Sequence, residues 1–319
     1  MVTPISTVAI TGASGYIGRH LVAELRRLGG MRIKVLSRGQ QRQSGKSEFG
    51  SGVEVTEGDL HVPVSLHGFL EPGCTVVHLA YLQDGGESEN LAATTTLLDA
   101  CRLAKVGRLI HCSTAAVAGR VPDNLISEDT PCQPMSEYGR TKLKIEQVVL
   151  AAAGDCFDVV VLRPTAVFGA GGGSLQKLVG DLAAGKRLRN YLKSCLFNER
   201  RMNLVFVANV VAAIIFMARY QEKFDGGIFI ISDDDNPQNN FADVERFLMH
   251  QLAIKRYFLP IFPVPLVFLS FLLKLMKRND TNPCCNYDSH KLLDLGFRRP
   301  VEFEAGLKTY ADWYRSEIR

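Results

Sequence analysis

The sequence predicts a doubly wound α/β protein: a parallel sheet covered by helices on both faces, followed by a smaller, mostly helical lobe. Two observations carry this. Short apolar runs at 7–10, 33–37, 75–79, 109–113 and 159–163 alternate with segments whose apolar residues return every three or four positions. That is the pattern of parallel strands joined by crossover helices. Three glycines at GxxGxxG spacing also stand between the first apolar run and the first helical segment, where such a fold binds anions.

In chain order, the run at 7–10 leads through Thr11-Gly12-Ala13-Ser14-Gly15-Tyr16-Ile17-Gly18 into a helix expected over 16–28. The run at 33–37 is the second strand, and 75–79 and 109–113 bracket a helix over 90–104. A further helix over 137–152 precedes the strand at 159–163. Beyond Arg163 the pattern changes to a glycine-rich loop (169–173), a basic segment (186–201), a helix (209–219), a strand (228–232) and a helical tail. The expected division is a dinucleotide-binding domain over 1–165 and a substrate lobe over 166–319, with some of the lobe's segments returning to the main sheet.

Composition narrows the function. The chain has 319 residues, 46% hydrophobic and 22% charged, so it can bury a core and is neither disordered nor fibrous. A net charge of +4, from 37 basic and 33 acidic residues, argues against nucleic acid as the main partner. The eight cysteines form no CxxC pair, and no Cys/His spacing suits zinc, so no metal is expected. The first six residues show no leader pattern, and unpaired thiols fit a reducing cytoplasm. Residues 257–273 carry no charge and are flanked by Lys255, Arg256, Lys274, Lys277 and Arg278. Pro260, Pro263 and Pro265 interrupt the first half of this run, which argues against a membrane span. The expectation is a buried helix starting at Pro265, with peripheral contact to the inner face of a membrane as the alternative.

Each glycine of the loop has a separate use. Gly12 permits the tight strand exit, Gly15 lets the backbone approach a pyrophosphate, and Gly18 allows the helix to pack closely on the sheet. In such sites an acidic residue about 20 positions on, at the end of the second strand, accepts the ribose 2′-OH. Here that strand ends Val35-Leu36-Ser37-Arg38. A guanidinium at that place, with Arg42 nearby and Arg19 able to assist, suits a 2′-phosphate. NADP(H) is therefore expected over NAD(H). Asp59, in Gly58-Asp59-Leu60, is placed to meet the adenine or serves as a turn aspartate.

Tyr138 and Lys142 stand four apart on the helix expected over 137–152, hence on one face. A phenol has a reference pKa near 10, and a neighbouring cation favours its ionised form, drawing that pKa toward neutrality. The same spacing recurs at Tyr287 and Lys291, but only the first pair follows a strand ending His111-Cys112-Ser113-Thr114, whose hydroxyls can donate to a carbonyl oxygen.

With these motifs in place, the chain resembles an extended short-chain dehydrogenase/reductase of the NAD-dependent epimerase/dehydratase family. The resemblance rests on residues 11–18, Gly58-Asp59, His78-Leu79-Ala80, residues 113–119, 128–134 and 138–142, Leu162-Arg163-Pro164-Thr165, Leu295-Gly296-Phe297 and Trp313-Tyr314. It implies a Rossmann sheet, a catalytic set of Thr114, Tyr138 and Lys142, and cofactor contacts from Gly12, Ser14, Gly15, Tyr16, Ile17, Gly18, Arg38, Asp59, Leu60, Leu79, Ala80, Lys142 and Pro164. Substrate would meet Thr114, Tyr138, Thr165 and Arg201. Arg201 matches the family's phosphate-binding arginine, and Lys186, Arg187 and Arg200 add cations for the diphosphate of a UDP-linked sugar. The aspartates at 233–235 are read as a solvated turn. Ala118 stands where many sugar-nucleotide epimerases carry tyrosine, and Arg38 replaces the acid of many NAD-using members. The expected activity is NADPH-dependent reduction of a 4-keto nucleotide sugar, in a homodimer, with a role in polysaccharide biosynthesis. The alternatives are an NAD-dependent 4-epimerase, a reductase of apolar ketones, and a non-catalytic NADP sensor.

Overall fold

The computed structural model describes residues 7–39, 49–119, 121–154, 156–265 and 282–317. Seven strands form the main sheet: β1 (Thr7–Thr11), β2 (Arg32–Ser37), β3 (Val53–Glu57), β4 (Thr75–His78), β5 (Arg108–Cys112), β7 (Asp158–Pro164) and β10 (Gly227–Ile231), in the order β10-β7-β5-β4-β1-β2-β3. The pairs from β3 through β7 are parallel. All residues of β1, β4 and β7 are buried, as strands covered on both faces must be. The edge strand β3 carries Glu54 and Glu57 and is largely open, a charged edge that resists pairing with another chain.

The chain folds as two compact units. The first comprises residues 1–114, 137–163 and 211–229, and the second comprises 115–136, 164–210 and 230–319. The chain thus leaves the first unit after Thr114 and re-enters it at Glu137. Residues 115–136, expected within the dinucleotide-binding domain, group with the second unit instead.

Within the first unit, α1 (Tyr16–Leu28) buries Gly18, Leu21, Val22 and Leu25 and places Arg26 and Arg27 in its last turn, where cations complement the helix dipole. Helix α2 (Glu87–Ala104) starts three residues earlier than expected, led by Glu87 and Glu89. The Asn90 side chain bonds the backbone of Leu82, Gly85 and Gly86, fixing the loop before it. Helix α3 (Glu137–Ala151) packs on α2 and buries both Lys142 and Glu146. Glu146 is satisfied by Arg163 of β7, at 2.7 Å.

In the second unit, β6 (Leu125–Ile126) pairs with β11 (Asn286–Tyr287), and β8 (Ala166–Phe168) pairs with β9 (Leu204–Phe206). The remaining helices are α4 (Gln176–Ala183), α5 (Arg187–Phe197), α6 (Val207–Arg219, which continues into the first unit), α7 (Phe241–Gln251), α8 (His290–Asp294) and α9 (Phe303–Glu317). The basic segment expected over 186–201 is mostly the helix α5. Residues 257–265 form no helix, and the helix expected from Pro265 lies outside the described residues. Among the described residues, no helix is long and apolar enough to cross a membrane.

Candidate active site

The glycine turn sits where the sheet order reverses, between β1 and β4. Gly12 has φ +73°, and a Cβ there would lie 2.6 Å from the Ala80 nitrogen. The Leu79 amide donates to the Thr11 carbonyl at 3.1 Å, so β4 runs hard against the turn. Buried Gly18 is equally constrained, because its Cβ would lie 2.3 Å from the Gly12 carbonyl oxygen. Gly15 precedes α1 with no side-chain cap, and no acidic residue stands in the first turn. The helix start is thereby left to an anion, in the crevice where doubly wound sheets hold nucleotides.

Around it lie the other expected contacts. Ser14, Arg19 and Arg38 are exposed, Tyr16 and Ile17 partly covered, and Leu60 buried. Arg38 follows β2 directly, while Arg42 lies outside the described residues. The Asp59 carboxylate accepts the His61 amide at 2.8 Å, and the Ser65 hydroxyl fastens its backbone, a turn aspartate held in fixed orientation.

Thr114, Tyr138 and Lys142 all belong to the first unit. The Thr114 hydroxyl shares a hydrogen bond with the Tyr138 phenol. Lys142 donates to the Cys112 carbonyl at 2.8 Å, beneath the Tyr81 ring at 5.6 Å. The Tyr81 and Tyr138 rings meet edge to face, 5.0 Å apart, so Tyr81 touches both partners. Sequence reasoning missed this residue, although it directly follows His78-Leu79-Ala80 at the end of β4 and is an aromatic in a position exposed to the site.

The electrostatics differ from the expected pattern. Burial, then Cys112 and Tyr81, push the Tyr138 phenol up to about 12, and only the bond to Thr114 acts downward. The residue remains 43% exposed, so this is a partly covered ring rather than a core phenol. Burial also lowers Lys142 from its usual value, and its ammonium is turned to the Cys112 carbonyl. The expected downward pull of Lys142 on the phenol is therefore absent in this arrangement. Tyr138 is thus protonated at neutral pH.

Behind Lys142 stand two buried histidines in register, His78 of β4 and His111 of β5, with ring centroids 5.2 Å apart. His78 bonds the Thr11 hydroxyl at 2.8 Å. Burial and the Lys142 charge hold His78 down to about 3 and His111 well below the usual imidazole range, so both are neutral.

In the second unit, Pro164 and Thr165 are buried, and the Thr165 amide donates to the Ile231 carbonyl at 3.1 Å. Arg201 donates to the carbonyls of Asp234, Asn236 and Pro237, so its terminal nitrogens close a loop of the protein itself. Arg187 donates to the carbonyls of Lys255 and Arg256, Arg200 lies over the Phe197 ring, and Lys186 is exposed. The 233–235 aspartates do not form a solvated turn. Asp233 and Asp234 are buried, Asp234 accepts from Tyr287, Asn203 and Asn239, and Arg299 pairs with Asp233 and Asp235. Burial pushes Asp234 up to about 6. Among the described residues no group of three His, Cys, Asp or Glu could hold a metal ion. Tyr287 lies on β11 and Lys291 on α8, so the second YxxxK copy shares no helix face.

A doubly wound sheet with a glycine turn at its switch point and a Thr-Tyr-Lys set beside it defines an oxidoreductase or epimerase of the extended short-chain dehydrogenase type. The chain belongs to the NAD dependent epimerase/dehydratase family, whose model matches residues 8–232. It is 30% identical to a 4-hydroxy-2-methyl-3-oxo-4-farnesyl-3,4-dihydroquinoline-1-oxide ketoreductase of Stigmatella aurantiaca, over 70% of this chain and 67% of that one. It is 32% identical to a UDP-glucose 4-epimerase of Dictyostelium discoideum, over 49% of this chain and 50% of that one. The fold is that of the Thermus thermophilus UDP-glucose 4-epimerase solved with NAD, at TM-score 0.71 and 23% identity over 97% and 99% of the two chains.

Proposed function

We propose that this enzyme uses NADPH to reduce a ketone, Tyr138 Oη giving the proton to the carbonyl oxygen. The observation that carries the reading is the Thr114–Tyr138 hydrogen bond, which joins a phenol protonated at neutral pH to a second hydroxyl able to orient a carbonyl oxygen. The glycine turn fits a dinucleotide, since α1 opens at Gly15 with no side-chain cap and no acid in its first turn, leaving its amides for a pyrophosphate. Residues 12–18 would hold the pyrophosphate, Arg38 the 2′-phosphate and Lys142 the nicotinamide ribose. Bound there, the nicotinamide supplies hydride. Thr114 orients the carbonyl oxygen, and its hydrogen bond stabilises the phenolate left after proton transfer.

The leading substrate class is a 4-keto nucleotide sugar, supported by the family and the UDP-glucose 4-epimerase relative. A second class, an apolar ketone, is favoured by the engagement of Arg187 and Arg201 with backbone carbonyls and by the farnesylated substrate in the name of the Stigmatella relative. The family's homodimer through α2 and α3 belongs to the same reading, and sedimentation tests it.

NADPH oxidation on adding a UDP-linked 4-keto-6-deoxy sugar or a prenylated cyclic ketone separates the two classes. Tyr138→Phe should abolish turnover while leaving NADPH affinity unchanged. Purified protein carrying non-exchangeable NAD, with no net NADPH oxidation by either ketone, would overturn reduction in favour of epimerisation. Arg38→Ala should weaken NADPH binding by about 1.5–3 kcal/mol and leave NADH binding unaltered.

A further inference from the structure

Two short stretches of the second unit hold a disproportionate share of exposed apolar side chains. On α5 these are Leu188 and Leu192, exposed by 73% and 57%, and on the 255–265 segment Phe258, Leu259 and Phe262, exposed by 96%, 55% and 67%. Phe258 and Phe262 are the only exposed phenylalanines among the described residues.

These rings are not outward merely because their segment lacks attachment. Arg187 donates to the carbonyls of Lys255 and Arg256, the Tyr191 hydroxyl donates to the Pro260 carbonyl at 2.9 Å, and the Val264 amide donates to the Cys195 carbonyl at 2.8 Å. The Tyr257 hydroxyl donates at 2.9 Å to Glu245, a buried carboxylate that also accepts the Ser194 hydroxyl. Pro260, Pro263 and Pro265 fix φ along the same stretch. The polar backbone is thus fastened to α5 and α7, and the apolar side chains are the part turned to solvent.

The surrounding charge identifies the partner. Lys186, Arg187, Arg189, Lys255 and Arg256 are exposed on the same two stretches. Of the neighbouring acids, Asp181 is paired with Arg189 and Lys193, Glu245 is buried and accepts Ser194 and Tyr257, and Asp243 and Glu304 line a cavity with Arg256. No acidic residue occurs from 252 to 279. Exposed apolar side chains interspersed with cations along the same stretches match the boundary between acyl chains and anionic headgroups. A second copy of this face does not match, because a two-fold contact would bring like charges together.

We propose that this ledge of the second unit docks the protein on an anionic lipid surface, with Phe258, Leu259 and Phe262 entering the headgroup boundary and the lysines and arginines meeting the phosphates. The inference stands independently of the catalytic reading.

The test uses the full chain and vesicles of phosphatidylcholine with or without phosphatidylserine. The protein should float with the phosphatidylserine vesicles and be released by salt. Phe258→Ser with Phe262→Ser should weaken binding about tenfold or more, and neutralising Lys255 and Arg256 to Gln should weaken it about fivefold per residue. In a Trp313→Phe, Phe258→Trp protein, the single tryptophan should shift to the blue on phosphatidylserine vesicles. That readout needs no comparison with a disrupted variant. Absence of flotation, flotation unchanged by the serine pair, binding insensitive to salt, or an unshifted tryptophan would each overturn the proposal. A vesicle-free dimer abolished by the serine pair, with no flotation, would assign the ledge to a second copy instead.

Discussion

Replacing His111 by phenylalanine should stabilise the protein, increasingly so as the pH falls. Both ring nitrogens of His111 lack a hydrogen-bond partner among the described residues, and the ring is fully buried beside His78. Phenylalanine fills nearly the same shape without those polar atoms, so no cost is expected at pH 7.5. In the unfolded chain each histidine binds a proton below about 6.5, whereas burial keeps both neutral in the folded state. Their contribution is therefore complete above that pH and is lost as the pH drops through it toward the folded values. At pH 5.5 the loss is about 1.4 kcal/mol per histidine and about 3 kcal/mol for the pair. Asp234 acts oppositely, since a carboxyl raised to about 6 takes up its proton first in the folded state and adds about 0.8 kcal/mol over the same interval. Asp233, Glu128 and Glu245 are raised by burial as well and also oppose the histidines, so wild-type stability alone is a blurred measure. The difference between wild type and His111→Phe cancels the carboxylates. Urea unfolding at constant ionic strength should show that difference growing by about 1.4 kcal/mol between pH 7.5 and 5.5. A difference that stays constant, or a loss of more than about 2 kcal/mol at pH 7.5, would refute the account of a neutral, unpartnered imidazole.

Gly18→Ala should lower dinucleotide affinity at least about tenfold and reduce thermal stability, because its methyl would lie 2.3 Å from the Gly12 carbonyl and something in the turn must shift; calorimetry reads both. Glu146→Gln should cost about 3–5 kcal/mol in urea unfolding by stranding the buried Arg163 charge, while Glu146→Leu with Arg163→Met should cost much less. Tyr81→Ala should lower kcat and move the pH dependence of kcat/KM, because Tyr81 covers both Tyr138 and Lys142. Tyr81→Phe keeps the ring and should preserve kcat, while removing the Tyr81 charge that raises Tyr138.

The sheet was legible because its strands are buried on both faces and leave apolar runs such as 159–162. The glycine turn was legible because only glycine meets its contacts. The edge strand β3, broken by Glu54, Thr56 and Glu57, left no comparable run. The orientation of Lys142 was not legible either: helical spacing places it on the same face as Tyr138, but the Cys112 carbonyl that accepts its hydrogen bond comes from β5, a partner no local pattern encodes. Arg201 shows the same limit, since its place before β9 was visible while the three carbonyls that occupy it come from residues 234–237. Nor did the aspartates of 233–235 announce their burial, which depends on Arg299 arriving from far along the chain.

The chain quits the first unit after Thr114 and rejoins it at Glu137, one residue before Tyr138. The two hydroxyls that share a hydrogen bond thus stand at the gatepost of a long detour, and Lys142 follows within the returning helix. Thr114, Tyr138 and Lys142, the set proposed to move the proton, are anchored on one side of that gate, while Thr165, Arg201 and the ledge proposed to face lipid belong to the other. Inheritance can then work on the two halves at different speeds. Insertions and substitutions in 115–136 or 164–210 are free to explore new ligands while the reacting geometry stays fixed. One apparatus for moving a proton can in this way be reissued with successive recognition surfaces.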